Sequence, residues 1–345
     1  MSDGTKIEWT EATWNPITGC SVTSPGCTNC YAMKLAGTRL RDHPSRVGLT
    51  AESKAGPVWT GETRFNEEWL GQPLRWKRPR MIFVCAHGDL FHESVPDDWI
   101  DRVFAVMALA PQHTFQVLTK RADRMRAYLS SPVRASLILD GTFRGKRWVD
   151  VTEPDMRTAL GNWPLPNVWL GVSVEDQQRA DERIPDLLAT PAAVRWLSCE
   201  PLLGPVDLTA IPTGGYEDGE MNAVAPYTWE AEVAQWRDSG STDWRAEFED
   251  WYQVSADKTG PMHSAIDWIV AGGESGPGAR PMQPDWARSL RDQCAAASVP
   301  FFFKQWGNFR PTSDVNGEYM QRASKKEAGR LLDGRLHDEM PSAAA

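Results

Sequence analysis

Six short apolar runs, rich in β-branched and aromatic residues, recur along the 345-residue chain and constrain its fold more than any other feature. Most of them are continuous and do not alternate with polar residues, which predicts strands buried on both faces of a parallel sheet. The runs are MIFVC (81–85), TFQVLT (114–119), VWLGVSV (168–174), VRWLSC (194–199), DWIVAGG (267–273) and PFFFKQ (300–305). A further, first strand is predicted over 14–19.

Stretches with helical periodicity lie between these runs. The clearest begins at Pro96, after which apolar side chains recur every three or four residues on one face. Further helices are predicted over 30–41, 121–130, 176–189 and 284–297. Seven β/α units in succession predict an α/β protein built on a parallel (β/α) barrel, complete or partial. A doubly wound open sheet is the alternative.

Two long stretches interrupt the alternation, and the chain shows no fixed repeat. Residues 131–166 and 205–265 exceed ordinary connections, so inserted subdomains or lids are predicted there. The first carries a basic cluster and the second four tryptophans: Arg144, Lys146 and Arg147; Trp229, Trp236, Trp244 and Trp251. The predicted organisation is a barrel domain over 1–310 and a polar C-terminal tail over 311–345, with one helix near 324–332.

The composition restricts the class of protein. Apolar residues make up 41% and charged residues 24%, a globular balance, and no run approaches a membrane span. The first residues do not resemble a signal peptide, so a soluble, cytoplasmic protein is expected. Lys and Arg total 37 against 46 Asp and Glu, a net charge of -9. This argues against a general nucleic-acid coat and leaves a local basic groove open.

The cysteine distribution is the main indication of chemistry. In a reducing compartment, six cysteines are interpreted as metal ligands, reactive thiols or core residues. Cys20, Cys27 and Cys30 form a C-x6-C-x2-C arrangement in GCSVTSPGCTNCY (19–31), where Pro25 and Gly26 predict a turn. Three thiolates leave one metal position open, as in a catalytic site or an iron–sulfur cluster. A Cys3His zinc site using a remote histidine, and cysteines without metal, are the alternatives.

The position of this triplet, on the loop after the first predicted strand, resembles the radical S-adenosylmethionine (radical SAM) superfamily. The resemblance implies a [4Fe-4S] cluster held by the three cysteines, with S-adenosylmethionine bound to the fourth iron. The usual superfamily spacing is C-x3-C-x2-C, so the six-residue gap is a departure. GCTNCYA (26–32), GDLFHESVP (88–96) and VLTKR (117–121) further resemble the spore photoproduct lyase branch.

The chain as a whole also resembles a phage-associated family with three cysteines, whose function is obscure. Four segments carry this resemblance: IEWTEATWNPITGC (7–20), SCEPLLGPV (198–206), VAGGESGPGARPM (270–282) and FKQWG (303–307). They fall on the first, fifth, sixth and seventh predicted strands.

Polar side chains follow the predicted strands, at the edge where a parallel barrel carries its chemistry. Alternation places one set on the inner face: Cys85, His87 and Asp89; Gln116 and Lys120; Ser173 and Glu175; Ser198 and Glu200; Glu274; and Lys304. Cys199 falls on the opposite face. A polar pocket at the barrel mouth is therefore predicted.

The resemblance suggests roles for these residues. Residues whose types suit S-adenosylmethionine are Tyr31, Lys120, Ser173, Glu175, Ser198, Glu200 and Glu274. In the photoproduct lyase branch a cysteine near the second strand donates a hydrogen atom, which makes Cys85, then Cys199, candidates for catalysis together with Asp89. GGES (272–275) resembles the superfamily's Gly-Gly-Glu. That segment normally follows the second strand, however, and so this likeness is treated as coincidental.

Two functions follow as expectations. The first is an enzyme that cleaves S-adenosylmethionine reductively to a 5′-deoxyadenosyl radical and acts on a nucleic-acid base or nucleotide, with a flavodoxin-type or ferredoxin-type reductant. Its groove would use two basic clusters: Arg75, Lys77, Arg78 and Arg80; Lys120, Arg121, Arg124 and Arg126. The second is a non-enzymatic zinc or iron–sulfur module that contacts a protein partner through the tryptophan-rich insertion.

Overall fold

A single parallel sheet organises the protein, whose computed structural model describes residues 4–5, 7–143, 149–212, 220–225, 265–315 and 317–341. The sheet has seven strands, each hydrogen-bonded to the next in chain order. Strands β1 to β7 span Ala12–Trp14, Met81–Val84, Thr114–Thr119, Val168–Ser173, Val194–Cys199, Trp268–Gly272 and Phe301–Gln305. Because β1 and β7 are the two edges and do not pair within the described ranges, the curled sheet is a half-barrel.

The helices cover one face of this sheet. The described helices α1 to α9 span Tyr31–Gly37, Glu67–Leu70, Asp97–Ala108, Ala122–Leu129, Arg134–Phe143, Glu153–Ala159, Gln177–Leu188, Pro284–Ala297 and Lys325–Ala328. Apolar side chains of α3, α4, α7 and α8 share one buried cluster with the outward-facing residues of the strands, such as Val117 and Leu197. A doubly wound sheet would carry helices on both faces. The single covered face therefore favours the partial barrel over the predicted alternative.

The inner face of the sheet holds a separate aromatic cluster, here called the floor: Trp9, Phe83, Trp169, Trp196, Trp268, Val270 and Phe302, with neighbouring Ala86 and Val194. Trp196 lies at its centre, with ring centroids 5.2 Å from Trp9 and 5.4 Å from Trp268. Gly171 on the adjacent strand makes room for it, since a Cβ there would lie 2.5 Å from the indole. Four of its aromatic residues come from the first halves of β4 to β7, whereas Trp9 precedes β1 and Phe83 lies on β2. The floor thus fills the amino-terminal end of the half-barrel with apolar side chains.

The segment between β1 and β2 forms small elements at the edge of the sheet. A two-residue strand, Ile17–Thr18, pairs with Arg64–Phe65, and Thr50–Ser53 pairs with Gly56–Trp59. Single 3₁₀ turns lie at Pro25–Cys27 and Pro73–Arg75. The predicted first strand is thus divided in two by Asn15 and Pro16, and the helix predicted from residue 30 ends early, at Gly37.

The predicted insertions are described only in part. Within 131–166 lie α5 and α6, and α5 is tied to α3 by an ion pair between Arg134 and Asp101 at 3.3 Å. The predicted basic cluster at 144–147 lies outside the described residues. The four tryptophans of the second insertion also lie outside them. Of that insertion, the structure describes residues 205–212, 220–225 and 265.

The C-terminal segment packs back onto the sheet. A hairpin of Phe309–Asp314 and Gly317–Arg322, absent from the sequence-based prediction, spans the expected boundary at 310. The predicted helix is the short α9. Beyond it, the carbonyl of His337 accepts from Phe303 N at 2.8 Å, and that of Glu339 accepts from Trp268 Nε1 at 2.9 Å. No helix in the described part of the chain has the length and apolar character needed to cross a membrane.

Candidate functional site

The three clustered cysteines lie on the loop that follows the first strands, at the carboxyl end of the sheet. The loop contains the 3₁₀ turn Pro25–Cys27, which confirms the predicted turn, and Cys30 is the N-cap of α1. Cys27 is buried, whereas Cys20 and Cys30 are half-buried. The loop thus presents all three thiols at the edge where the polar strand ends also converge.

The three thiols differ in their electrostatic environments. Burial, together with the charge of Asp89, raises the pKa of Cys20 to about 12. Burial also raises the pKa of Cys30. At Cys27 burial acts in the same direction, but the Lys120 ammonium and hydrogen bonds from the loop outweigh it and lower the pKa. Cys27 is therefore the thiol most readily ionised.

The described residues do not assemble the ligand set expected for a single metal ion. Among the described residues, no three Cys, His, Asp or Glu side chains converge closely enough to hold one ion. The nearest histidine in sequence, His43, hydrogen-bonds Ser45 Oγ through Nδ1 at 2.7 Å. His92 bonds Ser21 Oγ through Nε2 at 3.0 Å. A Cys3His zinc site thus has no preformed geometry in this region.

Glu175, which follows β4, supports the loop from below. Its side chain is fully buried, and its carboxylate accepts from Ser24 Oγ at 2.6 Å, from Lys120 Nζ and from Arg183 Nη1 at 2.8 Å. Burial acts to raise the pKa of Glu175, but the Lys120 and Arg183 cations outweigh it and lower the pKa. The loop rests directly on this carboxylate, since a Cβ at Gly26 would lie 2.3 Å from Glu175 Oε1.

Glu274, which follows β6, fixes the loop from the other side. Arg280 binds its carboxylate through Nη2 at 2.7 Å and Nε at 2.9 Å, and Asn29 Nδ2 donates to it at 3.0 Å. Arg280 Nη2 also donates to Pro25 O at 3.0 Å. Glu274 therefore acts through Arg280 and Asn29 as a clamp on the cysteine loop, with its own carboxylate already paired.

Asp89, which follows β2, holds an arginine against the first cysteine. It accepts from Thr119 Oγ1 at 2.7 Å and from Arg121 Nη1 at 3.2 Å. Arg121 is 5% exposed, and the same Nη1 donates to Cys20 Sγ at 3.5 Å. Its Nη2 donates to Ser21 Oγ at 2.6 Å. Asp89 is thus a positioning residue for the guanidinium next to Cys20.

The remaining predicted cofactor ligands line the other strand ends. Glu200 accepts from Lys304 Nζ at 2.8 Å and from Gln305 Nε2 at 3.3 Å. Ser173 and Ser198 lie side by side on β4 and β5, both buried. Tyr31 is 55% exposed, and its hydroxyl donates to the Ala86 carbonyl. Together with Asp89, Lys120, Glu175 and Glu274, these residues form a polar rim above the aromatic floor.

The other three cysteines lie away from this rim, in the buried cluster between sheet and helices. The alternation that predicted an inward-facing Cys85 is wrong, because β2 ends at Val84 and Cys85 has a left-handed backbone with φ of 55°. Burial raises its pKa to about 12. Cys199 faces the helices, as alternation predicted. The catalytic roles assigned to Cys85 and Cys199 stay predictions.

The two basic clusters lie at opposite ends of the sheet. Residues 75–80 precede β2, whereas 120–126 follow β3, and a six-residue strand places such segments roughly 20 Å apart. The second cluster is also internally engaged: Arg124 donates to the carbonyls of His92 and Val95, and Arg126 pairs with Asp186. One groove lined by both clusters, as predicted, is therefore not formed.

Sequence reasoning missed the residues that join the loop to the strand ends. They are Ser24, Asn29, Arg183 and Arg280. Arg280 carried a usable signal, because it lies six residues after Glu274 within the segment 270–282 that the resemblance had singled out. Ser24 and Asn29 lie between the cysteines, where the spacing drew attention to the thiols alone.

The chain matches a family model over nearly its whole length. The model is described as "Protein of unknown function (DUF5131)" and covers residues 4–341. No curated protein and no solved structure is similar enough to match the chain.

Proposed function

The chain belongs to the DUF5131 family, and we propose that it is an iron–sulfur enzyme of the radical SAM type. Cys20, Cys27 and Cys30 would hold a [4Fe-4S] cluster, and S-adenosylmethionine would bind beside it at the polar rim. The observation that carries the proposal is the contact of the three-cysteine loop with buried ionisable side chains that follow β3, β4 and β6, namely Arg121, Glu175 and Glu274. Parallel barrels place their active sites at this edge.

The donor set fits a cluster in charge and in number. Arg121 contacts Cys20 Sγ, and Lys120 lowers the pKa of Cys27 against the effect of burial, so two cations offset the charge of bound thiolates. Three thiols leave one iron of a cubane open. A single ion needs ligands about 3.8 Å apart in a tetrahedron, whereas a cubane distributes its cysteines over separate irons.

The chain's own residues have defined tasks in this proposal. When bound, the cluster would supply the one-electron chemistry that S-adenosylmethionine requires. Asp89 positions Arg121, Glu175 positions Lys120, and Glu274 positions Arg280; all three carboxylates therefore fix the loop. The aromatic floor fills the opposite end of the half-barrel with apolar side chains.

The substrate class rests on the resemblance to the spore photoproduct lyase branch. It points to a nucleic-acid base or nucleotide, and electrons would come from a flavodoxin-type or ferredoxin-type protein. The rim offers donors and acceptors for such a ligand at Ser173, Ser198, Glu200 and Lys304.

Anaerobic reconstitution with iron and sulfide tests the cluster. The wild-type chain should become brown and bind about four irons, and Cys27→Ala should lose them. Cys294→Ala is the matched control, because it removes a buried thiol from α8 without touching the loop. A colourless wild-type protein that contains zinc would contradict the proposal. So would an equal iron content in Cys27→Ala and Cys294→Ala.

A second measurement tests the chemistry. Reduced, reconstituted protein incubated with S-adenosylmethionine should release 5′-deoxyadenosine, and Cys27→Ala should not. An iron–sulfur protein that forms none above background would be a binding module and not a radical SAM enzyme.

A further inference from the structure

Arg46 is a buried cation that has no carboxylate partner in the part of the chain that the structure describes. Its side chain lies next to the cysteine loop, and the residue is 4% exposed. Nη1 donates to Ser45 Oγ at 2.7 Å and to the Ser45 carbonyl at 3.1 Å, and Nη2 lies 2.9 Å from His87 Nδ1. Nε is buried and has no hydrogen-bond partner among the described residues.

The other buried arginines show what is unusual about this one. Arg121, Arg134 and Arg183 are exposed to a similarly small extent, and each pairs with a carboxylate at 2.8–3.3 Å. Leaving a charge buried without a counter-ion costs several kcal/mol per ion as a rough measure. Within the described residues, Arg46 is the one arginine of this group without such a partner, so its charge is left uncompensated there.

The neighbours of Arg46 add positive charge or none at all. Burial and the nearby Arg64 cation lower the pKa of Arg46 to about 10, which still leaves the guanidinium charged at neutral pH. Burial and the charge of Arg46 lower the pKa of His87 to about 4, so this ring is neutral at pH 7. A neutral imidazole orients the guanidinium and adds no charge of its own.

The location connects this cation to the mouth of the half-barrel. His87 follows β2, and its carbonyl accepts from Gly19 N at 3.2 Å, one residue before Cys20. The ring of Tyr31 lies edge-on to His87 at 5.9 Å, and Tyr31 is more than half exposed. The aromatic pair thus links the surroundings of Arg46 to the solvent-exposed side of Tyr31.

We propose that Arg46 and His87 form a binding site for an oxyanion, a carboxylate or phosphate group carried by a small molecule that enters past Tyr31. The planar fork of arginine suits both groups because each presents two oxygens to two N–H donors. The site goes beyond the proposed function, since it requires no cluster and is present in the chain alone.

Thermal unfolding of the purified full chain, without reconstitution, tests the site separately from the cluster. Sodium phosphate and sodium acetate are titrated in two arms at constant ionic strength, with chloride as the reference. The anion that fits should raise the Tm by about 2 °C or more through preferential binding to the folded state. A response to phosphate alone assigns the site to phosphate, and a response to acetate alone assigns it to carboxylate.

Arg46→Met should abolish this rise in Tm. Arg126→Met is the matched control, because it removes the same charge from an arginine that pairs with Asp186 on the surface, and it should respond as wild type does. Arg46→Lys keeps the charge without the fork; it should lose most of the response and serves if the Met variant does not fold. In parallel, the anion should move the NMR signals of the His87 ring. No response in wild type, or an equal response in Arg46→Met, overturns the proposal.

Discussion

The two halves of the sheet's inner face differ sharply in chemistry although the same strands build both. On β5, Trp196 belongs to the floor, and Ser198, two residues later on the same face, belongs to the rim. On β4 the corresponding pair is Trp169 and Ser173, and on β7 it is Phe302 and Lys304. Each strand therefore changes from aromatic to polar along its length, always in the direction of its carboxyl end.

This difference separates stability from chemistry within one sheet. The floor contributes apolar burial and ring-to-ring contacts, and its cluster includes no residue of the helices that the structure describes. The rim contributes buried ion pairs, whose desolvation penalty offsets much of their attraction. The rim residues are thus better explained by the loop that they position than by the stability they add.

The largest expected effect concerns the floor. Trp196→Ala should lower the free energy of unfolding by about 3–5 kcal/mol, because it empties the centre of the aromatic cluster. Ser198→Ala, on the same face of β5, should change it by less than about 1 kcal/mol. Urea denaturation measures both. If both variants lowered the free energy of unfolding equally, the floor and the rim would contribute equally to stability.

The next effect concerns the buried carboxylate of the rim. Glu175→Gln leaves Lys120 and Arg183 without their shared anion and should cost about 3 kcal/mol at pH 7. Because the folded pKa of Glu175 is lowered, its stabilisation is complete above the unfolded value of about 4.3 and is lost as pH falls through the folded pKa. The gap between wild type and variant should therefore narrow below pH 4.3.

Urea denaturation at a series of pH values measures this gap. Glu153→Gln is the control, since it removes a carboxylate from an exposed i,i+4 pair with Arg157 and should cost no more than about 0.5 kcal/mol. A gap that is constant from pH 7 to pH 3 would mean that Glu175 contributes no charge-dependent stability.

The sequence predicted the strands of the sheet better than it predicted the contacts of the site. Continuous apolar runs mark buried parallel strands, and all six runs became strands in the expected order. The rim residues from Lys120 to Lys304 also lie where strand alternation predicted them. These successes depend on local periodicity, which one sequence contains in full.

The failures depend on distant contacts or on a local break in regularity. The partners that clamp the loop lie far along the chain, as Arg280 does from Pro25, and no spacing rule relates them. Cys85 failed because one left-handed residue ends the alternation of β2. The C-terminal hairpin was missed because most of its residues are polar and none is buried, so no regular apolar pattern marks it.

A smaller effect tests how tightly the loop rests on the rim. Gly26→Ala places a Cβ against the Glu175 carboxylate and should cost about 1–3 kcal/mol, because buried groups on both sides must shift. Gly141→Ala on α5 is the contrasting control. Its Cβ would lie 3.8 Å from the nearest atom, so the gain in helix propensity should stabilise the protein by about 0.5–1 kcal/mol. If Gly26→Ala left the free energy of unfolding unchanged, the loop would not be packed tightly against Glu175.

The smallest effect concerns His87, whose contribution to stability should depend on pH, whereas that of the floor should not. Its folded pKa of about 4 lies below the unfolded value of 6.5, so between these values the unfolded chain binds more protons. Stability therefore rises with pH across this window, and lowering pH from 7.5 to 5.5 should remove about 1 kcal/mol through this residue.

His87→Gln cannot titrate, so its stability should depend less steeply on pH. Trp196→Phe alters the floor without removing a titratable group, so it should lower stability equally at both pH values. A pH dependence that survives in His87→Gln would place the titrating group elsewhere in the molecule.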